Sequence, residues 1–348
     1  MQQLHCYPYE LDFQYPFTTH KGTKTAQPTL IVSLTGHGMT GYGEAPAISY
    51  YDVTVAHMLE VLENKKAAIE RFAITDPKRF WHFLYHLIPG EIFAIAALDI
   101  AAWDLFGKMS RKPVHQMLGI TWGSVPPSDY TIGMDDLENM ERKLMLHPAP
   151  VYKIKTGGPD DIDMIRSLRK LTTVPFRLDA NEGWTFDDAK HLLPELKALG
   201  VTLIEQPLKR DEADAMKELK AISEIPLYAD ESCRIPDDVA HCADGFHGIN
   251  IKLTKCGGIT PAMEMIQIAK KLGLKIMLGS MNESTVGTAG IAQLLPMADV
   301  ADLDGPLLLK EDVATGITYS EGAILLSGAA GTGIKYTGSK FLKPTLTS

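Results

Sequence analysis

Three short phrases constrain this chain more than any other feature: Arg177-Leu-Asp-Ala-Asn181, Ile204-Glu-Gln-Pro-Leu208 and Ala229-Asp-Glu-Ser232. In each, a carboxylate follows a short apolar run, and Asp179, Glu205 and Asp230 are spaced by 26 and 25 residues. That interval fits one parallel strand, its covering helix and two short loops. The rhythm extends in both directions. Candidate strand ends fall at Gly133, Lys155, Asp179, Glu205, Asp230, Lys252, Gly279 and Asp302, at intervals of 22 to 27 residues. Eight such units predict a parallel (β/α) barrel, in which residues at the carboxyl ends of the strands converge on one mouth.

The intervening segments carry helical signals. Ala189, Leu192, Leu193, Leu196 and Leu199 recur with the period of a helix that buries one face. Thr185 with Asp188, and Thr260 followed by Pro261, are read as helix starts. An open doubly wound sheet is the rival, but the chain has no G-x-G-x-x-G or Walker A motif. Gly257-Gly258 reads as a tight turn.

Residues 1–125 lack the βα rhythm. Leu30-Ile-Val-Ser-Leu34 and Gly41-Tyr-Gly-Glu-Ala45 read as strands, and helices are expected around Val53 to Leu62 and from Glu91 to Lys108. This predicts an α+β capping domain over 1–125, a barrel over 126–304, and a tail over 305–348 that packs back on the cap. Within the tail, Gly316–Ser320 and Ala323–Ser327 read as a hairpin. The Thr-rich segment from Phe17 to Gln27 has no regular period and is read as a mobile loop at the site, with a plain hairpin connection as the alternative.

Bulk properties exclude some functions. A net charge of −9 with no basic run argues against a nucleic-acid partner. The most apolar stretch, Ile92 to Phe106, is interrupted by Asp99 and Asp104 and is too short to span a bilayer, so a buried helix and no membrane partner are expected. The amino terminus shows no secretion signal, and Cys6, Cys233, Cys242 and Cys256 form no C-x-x-C pair. Free thiols in the cytoplasm are the expectation. A homo-oligomer is compatible with the sequence.

The strand ends also carry bases. Lys153 and Lys155 alternate with Ile154, so both face the barrel interior. Lys252 ends the strand on the far side of the three acids. Three carboxylates without Cys or His neighbours favour Mg²⁺, a hard cation that leaves positions for substrate oxygens. A lysine with a pKa near 10.4 is a poor base at neutral pH, but neighbouring positive charge makes its free amine accessible. Two bases facing one metal-bound carboxylate suit removal of an α-proton on one side and its return on the other, through an enediolate.

These motifs make the chain similar to the enolase superfamily and, within it, the muconate lactonizing enzyme subgroup. The resemblance covers nearly the whole chain and implies a modified TIM barrel, (β/α)7β, with an α+β N-terminal cap completed by the C-terminal tail. It implies Asp179, Glu205 and Asp230 as Mg²⁺ ligands, Lys155 and Lys252 as acid/base pair, and Lys153 as electrostatic helper. Asp302-Leu-Asp304 resembles the D-x-D motif of dipeptide epimerases, where two acids bind the α-ammonium of an alanyl residue. The expected activity is epimerisation of the second residue of an Ala-Glu or broader Ala-Xaa dipeptide, in peptidoglycan peptide metabolism. Epimerases selective for Glu are expected to carry a cation in the capping loop. This loop has no Arg, only His20, Lys21 and Lys24, which leaves Lys24 as the candidate and small neutral residues as alternative substrates. Cycloisomerases and o-succinylbenzoate synthases use the same lysines and metal without an ammonium to bind, and a non-catalytic binding protein is a third reading. Acid-sugar dehydratases are disfavoured because no His lies between Ile249 and Ser348.

Overall fold

The computed structural model describes residues 2–342. Residues 3–46 form an antiparallel sheet of β1 (Gln3–Thr19), β2 (Gly22–Gly36) and β3 (Met39–Pro46). The continuous apolar run in β2 has a simple cause. Leu30, Val32 and Leu34 pack into one core while Ile31, on the opposite face, enters a second with the barrel residues. The strand is covered on both sides and has no solvent face to keep polar.

The helices α1 (Val55–Arg71), α2 (Pro77–Leu87) and α3 (Ile92–Ser110) follow. Nearly all of α3 is buried. A Cβ at Gly43 would stand 2.0 Å from the Ala97 carbonyl oxygen, so the glycines of the Gly41-Tyr-Gly-Glu motif let β3 lie directly on this helix. The acids that interrupt the apolar run pin α3 to its neighbours. Asp99 accepts from Thr260 N at 3.0 Å and Thr260 Oγ1 at 2.7 Å, and Asp104 accepts from Tyr42 N at 2.9 Å and Thr332 N at 2.8 Å. Among the described residues no helix is long and apolar enough to cross a membrane, and all four cysteines are free.

The barrel strands are β4 (Tyr130–Ile132), β5 (Tyr152–Lys155), β6 (Phe176–Asp179), β7 (Val201–Glu205), β8 (Leu227–Ala229), β9 (Gly248–Ile251), β10 (Lys275–Gly279) and β11 (Val300–Asp302). They pair in parallel in chain order, and a bridge between Ser128 and Ala301 links the last strand to the first. Every expected strand end lies within one residue of the observed one. Register then aligns the chemistry: Lys155 pairs with Asp179, and Asp179 with Glu205. The last strand leads only into the four-residue helix Gly305–Leu308, so the barrel is a (β/α)7β variant.

Thr185 and Asp188 form a reciprocal capping box at the start of the helix Phe186–Ala198. The corresponding expectation at Thr260 does not hold. Gly258 caps the helix Ile259–Lys271, and the Thr260 side chain is turned instead to Asp99. Of the two readings of the Thr-rich segment, the hairpin connection is the one the structure shows. Phe17, Thr18 and Thr19 pair with Lys24, Thr23 and Gly22, making it the tip of the β1–β2 hairpin. Its β-branched residues favour strand pairing despite the lack of alternation, and Met134 N ties it to the barrel by donating to the Thr18 carbonyl at 2.9 Å.

After the barrel, β12 (Glu311–Thr315), the hairpin β13 (Ile317–Ser320) and β14 (Ala323–Leu326), and β15 (Lys335–Leu342) complete the described chain. Lys310 N donates to the Asp12 carbonyl at 2.7 Å, and the Tyr336 ring stacks on Tyr42 with centroids 4.6 Å apart.

Candidate active site

The barrel mouth gathers all the strand-end charges into one buried network. Lys153 Nζ lies 2.7 Å from Glu205 Oε2, 2.7 Å from Asp302 Oδ2 and 3.1 Å from Asp179 Oδ2. Lys155 Nζ donates to Asp179 Oδ2 at 2.5 Å and to Asn181 Oδ1 at 3.3 Å. On the other side, Lys252 Nζ donates to Asp230 Oδ2 at 2.7 Å. The two outer lysines therefore flank the acids from opposite directions.

The electrostatics follow from burial and these pairings. Burial alone would raise Asp179, but Lys155 and Lys153 beside it hold it well below the usual carboxylate range. Asp230 is likewise opposed by burial and pulled down by Lys252 and Lys255. Glu205 has less compensation, and burial with the neighbouring Asp179 charge pushes it up to about 7. Burial disfavours the Lys252 ammonium, yet Asp230 and Glu205 hold its pKa above the ordinary value.

The three acids fit a hard divalent cation. They are buried oxygen donors on adjacent strands, and Glu205 Oε2 has no hydrogen bond although Lys153 Nζ is near. Their supports were not assigned from sequence. Asn250 Nδ2 donates to Glu205 Oε1 at 2.8 Å, and Lys255, fully buried, donates to the Asp230 carboxylate and to its carbonyl at 2.6 Å. Lys252 and Lys255 are three apart across the end of β9. That spacing was the available signal.

A second acid group lies beside the first. Asp129, Asp302 and Asp304 bring one oxygen each within 4.8 Å of one another. Two cations already serve it: Lys153 on Asp302, and Arg177 Nη1 on Asp129 Oδ2 at 2.7 Å. Asp304 pairs with no cation among the described residues; its Oδ2 accepts from Thr131 N at 2.5 Å, and burial together with Asp302 pushes it up to about 7. Protein cations occupy two of its three members, as lysines pair with all three acids of the strand-end triad.

A cavity of about 240 Å³ opens over both groups. Lys155, Lys252, Asp302 and Asp304 line its base, and Lys21 and Lys24 of the hairpin tip line its cover. The two hairpin lysines differ. Lys21 Nζ is taken by Glu231 Oε1 at 2.5 Å and Glu182 Oε2 at 3.2 Å, and sits 3.5 Å over the Tyr50 ring. Lys24 is half-buried, its ammonium meets no polar partner among the described residues, and burial lowers its pKa.

Comparison with known proteins agrees with this architecture. Mandelate racemase / muconate lactonizing enzyme N-terminal domains match residues 5–119, and enolase C-terminal domain-like sequences match residues 138–340. An L-Ala-D/L-amino acid epimerase from Flavobacterium johnsoniae is 43% identical over 326 residues, covering 94% of this chain and 97% of the relative. The substrate-liganded L-Ala-D/L-Glu epimerase from Bacillus subtilis superposes with a TM-score of 0.90 at 30% identity, over 95% of this chain and 98% of that one. A dipeptide epimerase from Enterococcus faecalis, complexed with Mg and L-Leu-L-Tyr, gives a TM-score of 0.90 at 31% identity, over 96% and 99%. With a cap, a barrel and a strand-end acid triad in one continuous match, the chain belongs to the mandelate racemase / muconate lactonizing enzyme family of enolase-like proteins.

Proposed function

We propose that the protein inverts the second residue of an alanyl dipeptide by exchanging its α-proton between Lys155 and Lys252. It is an isomerase of the dipeptide epimerase kind, as its relatives are, and Mg²⁺ is its cofactor. The observation that carries the two-base reading is the placement of the two lysines on opposite flanks of the Asp179, Glu205 and Asp230 triad, both lining the same cavity.

In this reading Asp179, Glu205 and Asp230 would hold Mg²⁺, whose charge would offset the acids that keep the lysines protonated and would be available to the substrate carboxylate. One lysine, as free amine, takes the α-proton; the other, as ammonium, donates from the opposite face. Lys153 remains a fixed cation between Glu205, Asp179 and Asp302. Asp304, with Asp302 beside it, binds the dipeptide's ammonium; Lys24, the hairpin cation with no polar partner among the described residues, faces the second side chain. An unpaired, half-buried ammonium supports an acidic residue such as Glu there, while neutral side chains fit the same cavity without that contact.

The test is deuterium uptake from D₂O across a set of Ala-Xaa dipeptides, read by mass spectrometry. Mg²⁺-dependent uptake at the second α-carbon is expected, to be lost with a chelator and in Asp304→Asn. Turnover unchanged in Asp304→Asn, or no uptake with any dipeptide, would contradict the reading.

A further inference from the structure

The mechanism above leaves Lys21 without a role, although it is the most heavily engaged residue of the hairpin tip. Its partner Glu231 is 4% exposed and sits next to Asp230, and Lys21 is the only cation paired with it among the described residues. From Glu231 the contacts continue inward. Asn181 Nδ2 donates to the same Glu231 Oε1 at 3.3 Å, and Asn181 Oδ1 accepts from Lys155 Nζ at 3.3 Å. An unbroken polar chain thus runs from the cover of the cavity to one of the two bases: Lys21, Glu231, Asn181, Lys155.

Resting on the epimerase reading, we infer that Lys21 is a positioning residue for Lys155, acting through Glu231 and Asn181, so that docking of the hairpin tip on the barrel and orientation of one base are coupled. The logic lies in donor and acceptor roles. A carboxylate only accepts, so Glu231 fixes the Asn181 amide with its NH₂ outward and its oxygen toward Lys155. Facing an acceptor, a neutral Lys155 amine presents an N–H to Asn181 and keeps its lone pair for the substrate. A reversed amide would offer N–H donors that compete for that lone pair. Asn181 is held at φ 44°, in the left-handed region that asparagine tolerates better than most residues, and its own N–H donates to Asp179 Oδ1 at 3.1 Å. Its backbone is therefore fixed and its amide orientation is the adjustable part. Among the described residues no corresponding chain from the hairpin tip reaches Lys252, which donates to Asp230.

This asymmetry gives the test. The Mg²⁺-loaded enzyme is supplied with each epimer of a turned-over dipeptide in D₂O, and Lys155→Ala identifies the epimer whose exchange needs Lys155. Lys21→Met, which keeps the aliphatic stem, is expected to slow that exchange by about tenfold to a hundredfold, the effect of misplacing a reacting group. Exchange of the other epimer and calorimetric Mg²⁺ affinity are expected to stay near wild type, and Lys21→Arg is expected to restore most of the loss. Glu182→Gln weakens the hairpin anchor but leaves the chain to Lys155 intact, and is expected to affect both epimers alike. Equal losses for both epimers in Lys21→Met, or no loss, would overturn the coupling. Wild-type enzyme exchanging neither epimer would overturn the epimerase reading, and this inference with it.

Discussion

Lys24 and Lys21 stand three residues apart on one hairpin, yet neighbours give them different chemistry. Lys21 is neutralised by two acids; Lys24 faces the cavity alone. If Lys24 reads the second side chain, Lys24→Met lowers kcat/KM for Ala-Glu relative to Ala-Ala by roughly tenfold to a hundredfold, the range for a lost hydrogen bond to a charged group. The pH dependence has a definite sign. Burial lowers the Lys24 pKa, so the cation is lost at lower pH than for an ordinary lysine, and the Ala-Glu preference should decline on the alkaline side before exposed lysines titrate. Equal pH profiles for Ala-Glu and Ala-Ala would contradict the assignment. Sequence alone placed both D-x-D acids on the substrate ammonium. The structure adds that Asp302 also serves Lys153, a contact across 149 residues that no local pattern announces. The same is true of Asn181 and Glu231: both stood inside the phrases that define the triad, and only the fold shows that they touch.

At the level of elements, the acidic strand ends were legible because a parallel barrel repeats one unit, and a repeat fixes the spacing of equivalent positions. Strand ends were therefore readable to within one residue, and Lys155 and Asp179 fall into register as the spacing requires. The hairpin tip was legible only as one of two readings. Its pairing depends on the opposite strand and on Met134 of the barrel rather than on alternation within the segment. Thr260 failed as a helix cap for a related reason, since buried Asp99 offers its hydroxyl a better partner. The contact of β3 with α3 gives a stability prediction. In Gly43→Ala the new methyl would meet Ala97 O at 2.0 Å, against backbone that cannot move aside. Overpacking ordinarily costs about 1–3 kcal/mol, and this contact is expected to reach or exceed the upper end in urea denaturation. A variant as stable as wild type would show that β3 and α3 can separate freely.

In the molecule as a whole, neither part holds a complete site. The barrel supplies the strand-end acids, Lys155, Lys252 and the D-x-D pair, while the hairpin of the N-terminal sheet covers the cavity with Lys21 and Lys24. Glu44 joins the two more firmly: from β3 it accepts Ser284 Oγ at 2.6 Å and Gly287 N at 2.9 Å, anchoring the loop whose residues Ser280 to Asn282 also line the cavity. The proposed reaction rests on the triad and two flanking lysines, whose strand-end positions were legible from sequence; the residues proposed to choose the substrate lie where the cap meets the barrel, which sequence does not show. The central claim is that Lys155 and Lys252 work from opposite faces of one substrate, and α-proton exchange of separate epimers in D₂O tests it most directly. Lys155→Ala is predicted to abolish exchange from one epimer while the other still exchanges, and Lys252→Ala to give the mirror-image result. Undiminished exchange of both epimers in either variant would contradict it.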